Sequence, residues 1–290
     1  PWVLSGHLDL RRRVKVVTST ADLKIALWRT RRLLRRAVPH VERVIANSEF
    51  TRREFERTYG YPRERTSVGY VGVRRSFFGN PRPTPIPGSP PRLVTACRLS
   101  EGRKNVHLVI EALAALRNEF DFRYTVIGDG ILRPDLERLA ERLGLGDRVD
   151  FPGFVPEADL IRRIGVSDLF VLTSSTAPDT FEGFGIVYLE ANACGTPALA
   201  ARTGGAAEAV REGASGFFVD EPTVPALTGA LRRFLAREHR FDAEACRRFA
   251  AGFTWDRVVD HISARYREVV GEGASAIHGS MRVVRPTDAT

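Results

Sequence analysis

The residues best suited to do chemistry lie in the segment STAPDTFEGFGIVYLEANACGTP, where Glu182 and Glu190 stand on either side of a glycine-rich turn. A helix is expected to begin near Gly185, and the N–H groups of Gly185, Ile186 and Val187 then have no partners inside the helix. Such groups, at the positive end of the helix dipole, favour a phosphate. The carboxylate of Glu190 is suited to accept hydrogen bonds from a diol such as a ribose. The competing interpretation is a helix-start carboxylate at Glu182 and an ordinary surface residue at Glu190.

A second group of polar residues follows the first predicted strand of the C-terminal part, in the segment RLSEGRK. Arg98 and Lys104 flank a glycine-containing turn there. Because the carboxyl ends of parallel strands meet at one edge of a sheet, both cations are expected on the side of Glu182. Two cations aimed at one pocket suit a diphosphate. Alternatively, both are surface cations in an arginine-rich chain.

These loops need a regular framework, which the sequence supplies from residue 92 onward. Its strand-like segments are LVTACRL, FRYTVIG, RVDFPGF, DLFVLTSS, TPALAA and GFFVD. The helix-like segments between them are NVHLVIEALAAL, PDLERLAERLG, ADLIRRIGVS, FGIVYLEANACG and AAEAVREG. Strands that alternate with helices are typical of a parallel sheet covered on both faces, so we predict one doubly wound α/β domain here.

The first third of the chain is basic: residues 1–90 contain 19 lysines and arginines against 7 acidic residues. Residues 22–37 predict a basic amphipathic helix, either packed against a core or facing an anionic membrane surface or an acidic partner. The segment VERVIANSEF predicts a strand followed by a helix with Asn47 or Ser48 as its N-cap. The proline-rich segment GNPRPTPIPGSPP predicts an interdomain linker.

Composition narrows the class of protein. With 43% apolar and 27% charged residues, the 290-residue chain can fill a core, which excludes general disorder. No window approaches the roughly 18 apolar residues of a membrane-spanning helix. Three cysteines without close spacing indicate neither a disulfide framework nor a thiolate metal site, and favour a reducing cytoplasm. The start lacks a methionine and the order of a secretory signal, so a fragment is one expectation.

The segment EGFGIVYLE resembles the E-x7-E motif of retaining glycosyltransferases of family 4, which have the GT-B fold of two Rossmann-like domains. Six other segments resemble this family in order and spacing: VIANSEFTRREF, CRLSEGRKN, VIGDG, VDFPGFVP, TGGAAEAVREGASGFFVD and FTWDRVVDHISARY. The resemblance runs from about residue 1 to residue 270.

The resemblance implies an α/β GT-B fold whose N-terminal domain is incomplete. Residues 1–80 would form part of an acceptor-side domain, 81–91 the linker and 92–253 the nucleotide-sugar-binding domain. Residues 254–270 would form a helix that returns to the first domain, and residues 271–290 a disordered tail. Family members usually have about a hundred more residues before His7, so the chain is either a fragment or a degenerate relative. A second departure is Arg74, which stands where the family has an aspartate at the interdomain crossing and puts the local turn in doubt.

The resemblance also implies a role for each site residue. Among the donor-binding residues, Arg98 and Lys104 would hold the pyrophosphate, and the Ile186 and Val187 amides the distal phosphate. Backbone groups of Phe154 and Val155 would contact the base, and Glu190 the ribose. Phe184 and Gly185 would form the turn beside the donor. Glu182 would bind hydroxyls of the donor sugar. His7 would be the active-site histidine that faces that sugar.

The function implied is transfer of a sugar, with retention, from a nucleotide-diphosphate sugar to an acceptor hydroxyl. No cofactor is expected. No metal is expected either, because the sequence has no Asp-x-Asp pair and the cations and helix start can neutralise the diphosphate. The expected location is cytoplasmic, with residues 22–37 a candidate contact for the inner membrane face; nucleic acid is not an expected partner. Two alternatives stay open: a nucleotide-sugar epimerase of the same architecture, and a non-enzymatic basic protein that binds membranes or nucleic acid.

Overall fold

Two parallel sheets organise the computed structural model, which describes residues 16–19, 38–41, 43–79, 88–176 and 180–270. The first sheet has three strands in the order β1-β2-β3, formed by Val16–Ser19, Arg43–Ala46 and Thr66–Val68. The second has six: β4 Arg92–Ala96, β5 Arg123–Ile127, β6 Val149–Gly153, β7 Leu169–Leu172, β8 Ala198–Ala201 and β9 Gly216–Val219. We call the parts of the chain around these sheets the three-stranded unit and the six-stranded unit.

The six-stranded sheet has the order β6-β5-β4-β7-β8-β9, and all its strand pairs are parallel. This is the doubly wound arrangement, in which the chain turns back at the first strand and continues on the other side. The point of reversal lies between β4 and β7. Ligands of such sheets bind at that point, beyond the carboxyl ends of the strands.

Helices and short 3-10 turns connect the strands. The helices are α1 Glu49–Tyr59, α2 Val106–Leu116, α3 Arg133–Arg142, α4 Glu157–Gly165, α5 Ile186–Ala193, α6 Val224–Leu235, α7 Ala243–Ala250 and α8 Trp255–Val270. In the part of the chain that the structure describes, none of them is long and apolar enough to span a bilayer.

The core of the six-stranded unit lies on both faces of its sheet. Successive residues of a strand point to opposite faces. Leu93 accordingly packs with α2, α3 and α6, whereas the next residue, Val94, packs with α4 and α5. Every residue of β7 and β8 is buried, as expected for central parallel strands, which explains their apolar sequences LFVL and ALAA.

The described elements confirm most of the predicted pattern. All six predicted strands after residue 91 are present, and Ser48 is the N-cap of α1, since its side chain accepts a hydrogen bond from the Thr51 N–H. The helices α6 and α7 were not predicted. The basic helix at 22–37 and the tail at 271–290 lie outside the described residues, as does most of the linker at 81–91.

The predicted helix AAEAVREG is wrong. The chain forms a 3-10 turn over Gly204–Glu208 and then runs irregularly to β9. Contacts elsewhere in the fold explain this conformation: the Gly205 N–H binds the Glu182 carbonyl at 2.7 Å, and the Glu208 carboxylate binds two N–H groups of α1. These long-range hydrogen bonds replace the local ones that a continuous helix would make.

The chain passes between the units at residues 69–73. The Val73 N–H donates to the Phe253 carbonyl at 2.7 Å, and Val73 pairs with Thr254 in a parallel bridge. The ring of Trp255, at the start of α8, lies so close to Gly72 that a Cβ there would be 2.6 Å away. The crossing segment and the start of α8 are therefore packed together.

Candidate functional site

A lysine and a glutamate meet at the point where the strand order reverses. The loop after β4 carries Lys104 and the loop after β7 leads to Glu182, and Lys104 Nζ donates to Glu182 Oε2 at 2.5 Å. Both side chains are about 85% buried, with 15% and 14% of their surfaces exposed. Ser174 Oγ lies 3.4 Å from the same carboxylate oxygen. The topology thus brings together the two loops that the sequence singled out.

The β4 loop also carries two arginines, Arg98 and Arg103, which differ in burial. The side chain of Arg98 is 67% exposed and lies 4.0 Å from Glu101, at the rim of the site. Arg103 is 10% exposed, donates from Nε to Glu101 Oε2 at 2.7 Å, and brings Nη1 to 3.8 Å from Glu182 Oε2. Arg103 was not among the predicted site residues. Its position beside Lys104 was a signal, but only the 3-10 turn Gly102–Lys104 shows that both side chains face Glu182.

The start of α5 has the form expected for an anion-binding helix terminus. Gly185 is the N-cap with a φ of 79°, in the left-handed region, and a Cβ there would lie 2.5 Å from the Tyr188 ring. Only glycine fits this turn without strain. The helix proper begins at Ile186, so the amides of Ile186 and Val187 are among those without partners inside the helix.

The side chain of Phe184 does not face a ligand. It is 1% exposed and packs against Tyr70 and Phe253, with ring centroids 5.2 and 5.8 Å away. Of the predicted donor-binding residues, Phe184 can therefore act only through its backbone. Its ring instead fixes the turn against the crossing segment and the start of α8.

The loop after β8 presses against the turn that follows Glu182. A Cβ on Gly205 would lie 2.1 Å from the Gly183 carbonyl oxygen, and a Cβ on Gly204 would lie 2.5 Å from the Glu182 carbonyl oxygen. Two glycines are therefore needed for the backbones to approach. This contact holds the main chain on either side of the Glu182 side chain.

Replacing Gly205 with alanine should displace the Glu182–Phe184 backbone. Overpacking of this kind typically costs about 1–3 kcal/mol in the free energy of unfolding. Denaturant unfolding measures that loss. Gly229→Ala is the matched control, because a Cβ at this position in α6 meets no described atom within 4 Å; it should be neutral or stabilising. Equal stability of the two variants would contradict the close approach.

Glu190 lies in the middle of α5, about one turn after its start, and is largely buried, with 13% of its side chain exposed. Arg74 Nη2 lies 3.7 Å from its Oε1, and the same guanidinium forms an ion pair with Glu157, the first residue of α4. Glu190 is thus not an ordinary surface residue. The doubtful turn at Arg74 is a short 3-10 turn, Arg75–Phe77, that directs the guanidinium toward these two carboxylates.

Burial raises the pKa of Glu190, and the nearby Arg74 guanidinium opposes that shift only in part. A carboxyl whose pKa is higher in the folded state binds its proton more tightly there, so its contribution to stability is lost as the pH rises through that pKa. The structure retains a carboxylate at a position where its charge is costly. Such positions are frequent in functional sites.

Replacing Glu190 with glutamine should therefore stabilise the protein at neutral pH. The gain should shrink as the pH falls through the raised folded-state pKa and should vanish below the ordinary carboxyl pKa, where the wild-type carboxyl is neutral in both states. Arg74 keeps its ion pair with Glu157 in this variant. Melting temperatures measured across this pH range test the prediction, with the exposed Glu141→Gln as control. A gain in melting temperature over wild type that is smaller at neutral pH than at acid pH would contradict the prediction.

Phe154 and Val155 follow β6 at the same edge of the sheet. Gly153 has a φ of 77° and its carbonyl accepts the Gly128 N–H at 2.9 Å, which joins the loops after β5 and β6. The side chain of Phe154 is 84% exposed, whereas Val155 packs partly against the core. The Arg74–Glu157 ion pair places the start of α4, which follows this loop, beside Glu190.

The three-stranded unit contacts this site directly. The hydroxyls of Ser48 and Thr51 both donate to the Gly183 carbonyl. In the opposite direction, the Glu208 carboxylate accepts the N–H groups of Glu49 and Phe50, each at 2.8 Å. The turn after Glu182 is therefore held by both units. His7, the other predicted catalytic residue, lies outside the described residues.

Two family matches divide the chain. The family described as Glycosyl transferases group 1 matches residues 79–251, and the family described as Glycosyltransferase Family 4 matches residues 1–77. The D-inositol 3-phosphate glycosyltransferase of Geodermatophilus obscurus is 34% identical over 257 residues, which cover 82% of this chain and 55% of the relative. The chain spans about half the length of the curated relatives it matches.

Two further similarities concern proteins named for nucleotide-containing ligands. The GDP-mannose-dependent alpha-(1-6)-phosphatidylinositol monomannoside mannosyltransferase of Mycolicibacterium smegmatis is 38% identical over 156 residues, covering 53% of this chain and 41% of the relative. The crystal structure of Anabaena HepE with UDP and glucose is 26% identical, has a TM-score of 0.69, and is matched over 87% of this chain and 70% of its own. The chain therefore has the GT-B fold and belongs to the family of group 1 glycosyl transferases.

Proposed function

We propose that this protein is a retaining glycosyltransferase that moves a sugar from a nucleotide-diphosphate sugar to an acceptor hydroxyl. The observation that carries the proposal is the buried Lys104–Glu182 pair at the reversal point of the sheet. It lies in the loops that a doubly wound sheet uses for its ligand, in a chain of the group 1 family.

The donor diphosphate is assigned to the cationic side of the site. Lys104 would neutralise one phosphate, and Arg98 would reach the same group from the rim. The amides of Ile186 and Val187 would bind the distal phosphate at the start of α5. The amides are fixed by the fold before the reaction, so they can stabilise the charge that develops on the leaving diphosphate.

The nucleoside is assigned to the side of α5 that carries Glu190, one turn after the helix start. Glu190 would accept hydrogen bonds from the ribose hydroxyls, and backbone groups of Phe154 and Val155 would contact the base. The ion pair between Arg74 and Glu157 supports this assignment, since it brings the loop after β6 next to Glu190. Guanine and uracil are both candidate bases, because one relative is named for GDP-mannose and one solved neighbour holds UDP.

The reacting sugar is assigned to the space beside Glu182. Its hydroxyls would bind the Glu182 carboxylate, and His7 would face it from the three-stranded unit. In the proposed reaction the bond between the anomeric carbon and the diphosphate oxygen breaks, and the acceptor oxygen attacks the same face. The acceptor proton passes to the leaving diphosphate. This scheme uses no metal ion, since Lys104, Arg98 and the start of α5 supply the positive charge.

A panel of nucleotide sugars tests the proposal without knowledge of the acceptor. UDP- and GDP-linked sugars should raise the melting temperature of the full chain, because a ligand that binds only the folded state stabilises it in proportion to the logarithm of its concentration. Nucleoside monophosphates, which lack the second phosphate, are the control and should stabilise less. Absence of stabilisation by every nucleotide sugar would refute the donor site. Release of an epimerised nucleotide sugar would instead favour the epimerase alternative.

The proposals for the acceptor and for a membrane contact rest on a relative's name and on the charge of the chain. The Mycolicibacterium smegmatis relative is named for a phosphatidylinositol monomannoside, and residues 1–90 of this chain carry an excess of 12 positive charges (19 basic against 7 acidic residues). A lipid-linked or inositol-containing acceptor at the cytoplasmic face of a membrane is consistent with both facts. Sedimentation with liposomes of graded anionic lipid content tests the contact, and binding that ignores lipid charge would remove it.

A further inference from the structure

Glu182 has two cations beside one of its carboxylate oxygens. Lys104 Nζ donates to Oε2 at 2.5 Å, and Arg103 Nη1 lies 3.8 Å from the same atom. The two cations are consecutive residues of one 3-10 turn, Gly102–Lys104. A hydrogen bond to a guanidinium requires roughly 2.7–3.2 Å, so Arg103 is about 1 Å short of taking the position that Lys104 holds.

Arg103 is held in place but incompletely bonded. Its side chain is nine-tenths buried, and Glu101 Oε2 accepts its Nε at 2.7 Å. Nη1 is buried and has no hydrogen-bond partner among the described residues. A buried N–H group without an acceptor costs free energy. The missing acceptor is therefore expected in another state of the site. Glu182 Oε2, which lies 3.8 Å from Nη1, is the candidate.

We propose that Arg103 replaces Lys104 as the partner of Glu182 when the donor diphosphate binds. This exchange rests on the proposed function, which assigns the diphosphate to Lys104. A lysine is suited to the move because its ammonium is a point charge on a flexible stem, whereas the Arg103 guanidinium is planar and anchored by Glu101.

Charge balance supplies the reason for the exchange. In the structure, the two carboxylates Glu101 and Glu182 face the two cations Arg103 and Lys104. If Lys104 stayed with Glu182, the diphosphate would meet an already neutralised lysine. If Lys104 left and nothing replaced it, an uncompensated carboxylate would lie beside the diphosphate, where like charges repel. Arg103 removes both difficulties, so it is a positioning residue that acts through Glu182.

A double-mutant cycle in nucleoside diphosphate binding tests the exchange. Calorimetric titration of the full chain with UDP and GDP is carried out on the wild type, Arg103→Gln, Glu182→Gln and the double variant. We expect Arg103→Gln to weaken binding about tenfold, the lower end of the range for a charge-assisted hydrogen bond. In the Glu182→Gln background the same change should cost less than about twofold, because no carboxylate then competes for Lys104.

Two further variants make the result decisive. Arg103→Lys retains the cation and should recover most of the affinity, and it serves as the test variant if Arg103→Gln does not fold. Arg138→Gln, an exposed arginine of α3, should bind like wild type. Equal losses in both backgrounds, or no loss in either, would overturn the exchange. Failure of the wild type to bind either diphosphate, or binding that does not depend on Lys104, would instead refute the proposed function.

Discussion

Replacing Glu182 with glutamine is expected to lower kcat by about 100-fold or more, with little loss of nucleoside diphosphate binding. The proposed role of Glu182 is contact with the donor sugar, which flattens and gains positive charge in the transition state. An interaction that strengthens there affects turnover, whereas one that is equal in both states affects binding. A preorganised group of this kind typically contributes 10²- to 10³-fold to kcat.

Steady-state kinetics of donor hydrolysis measures this effect, since that reaction needs no acceptor. Glu190→Gln is the matched control: it is the same chemical change eight positions further along the chain, at a carboxylate assigned to the ribose. The ribose is unchanged as the sugar is transferred, so this variant should mainly raise the donor KM. A normal kcat in Glu182→Gln would contradict the assigned role and leave the Lys104–Glu182 contact as a structural ion pair.

The framework of this site could be predicted from the sequence because its signals are local. The apolar runs LFVL and ALAA predict buried parallel strands, and their residues are buried. An N-cap at Asn47 or Ser48 follows from the residue types before the predicted helix, and the structure shows that it is Ser48, whose side chain makes the expected hydrogen bond. The parallel topology brings the loops at the carboxyl ends of the neighbouring strands β4 and β7 together. Lys104 and Glu182, which lie in these loops, are therefore in contact.

The details of the site could not be predicted, because they depend on contacts between distant parts of the chain. Glu208 binds the start of α1 across 158 or more residues, and no local pattern signals that contact. The same contact explains why AAEAVREG is not a helix. Likewise, Arg98 and Arg103 are equivalent as sequence signals, yet one lies 67% exposed at the rim and the other is 10% exposed beside Glu182.

Lys104 is expected to dominate binding of the diphosphate. Replacing it with methionine keeps the length of the side chain and removes the charge, so the variant should lose about 1.5–3 kcal/mol of nucleoside diphosphate affinity, the range for hydrogen bonds to charged groups. That corresponds to a roughly 10- to 150-fold weaker Kd. Burial supports the upper part of this range, because only 15% of the lysine is exposed to the screening effect of solvent.

Arg98→Met is the comparison that separates a specific contact from general attraction. Arg98 carries the same charge in the same loop but is 67% exposed, so its loss should weaken binding less than the loss of Lys104 and should matter less still at high salt. Calorimetric titration with UDP and GDP at two salt concentrations distinguishes these cases. If Lys104→Met and Arg98→Met lost equal affinity, and added salt abolished both losses, the diphosphate would be attracted by the rim of the site and would not contact Lys104. A loss confined to Lys104→Met that persists at high salt would mean direct contact between the phosphate and the buried lysine.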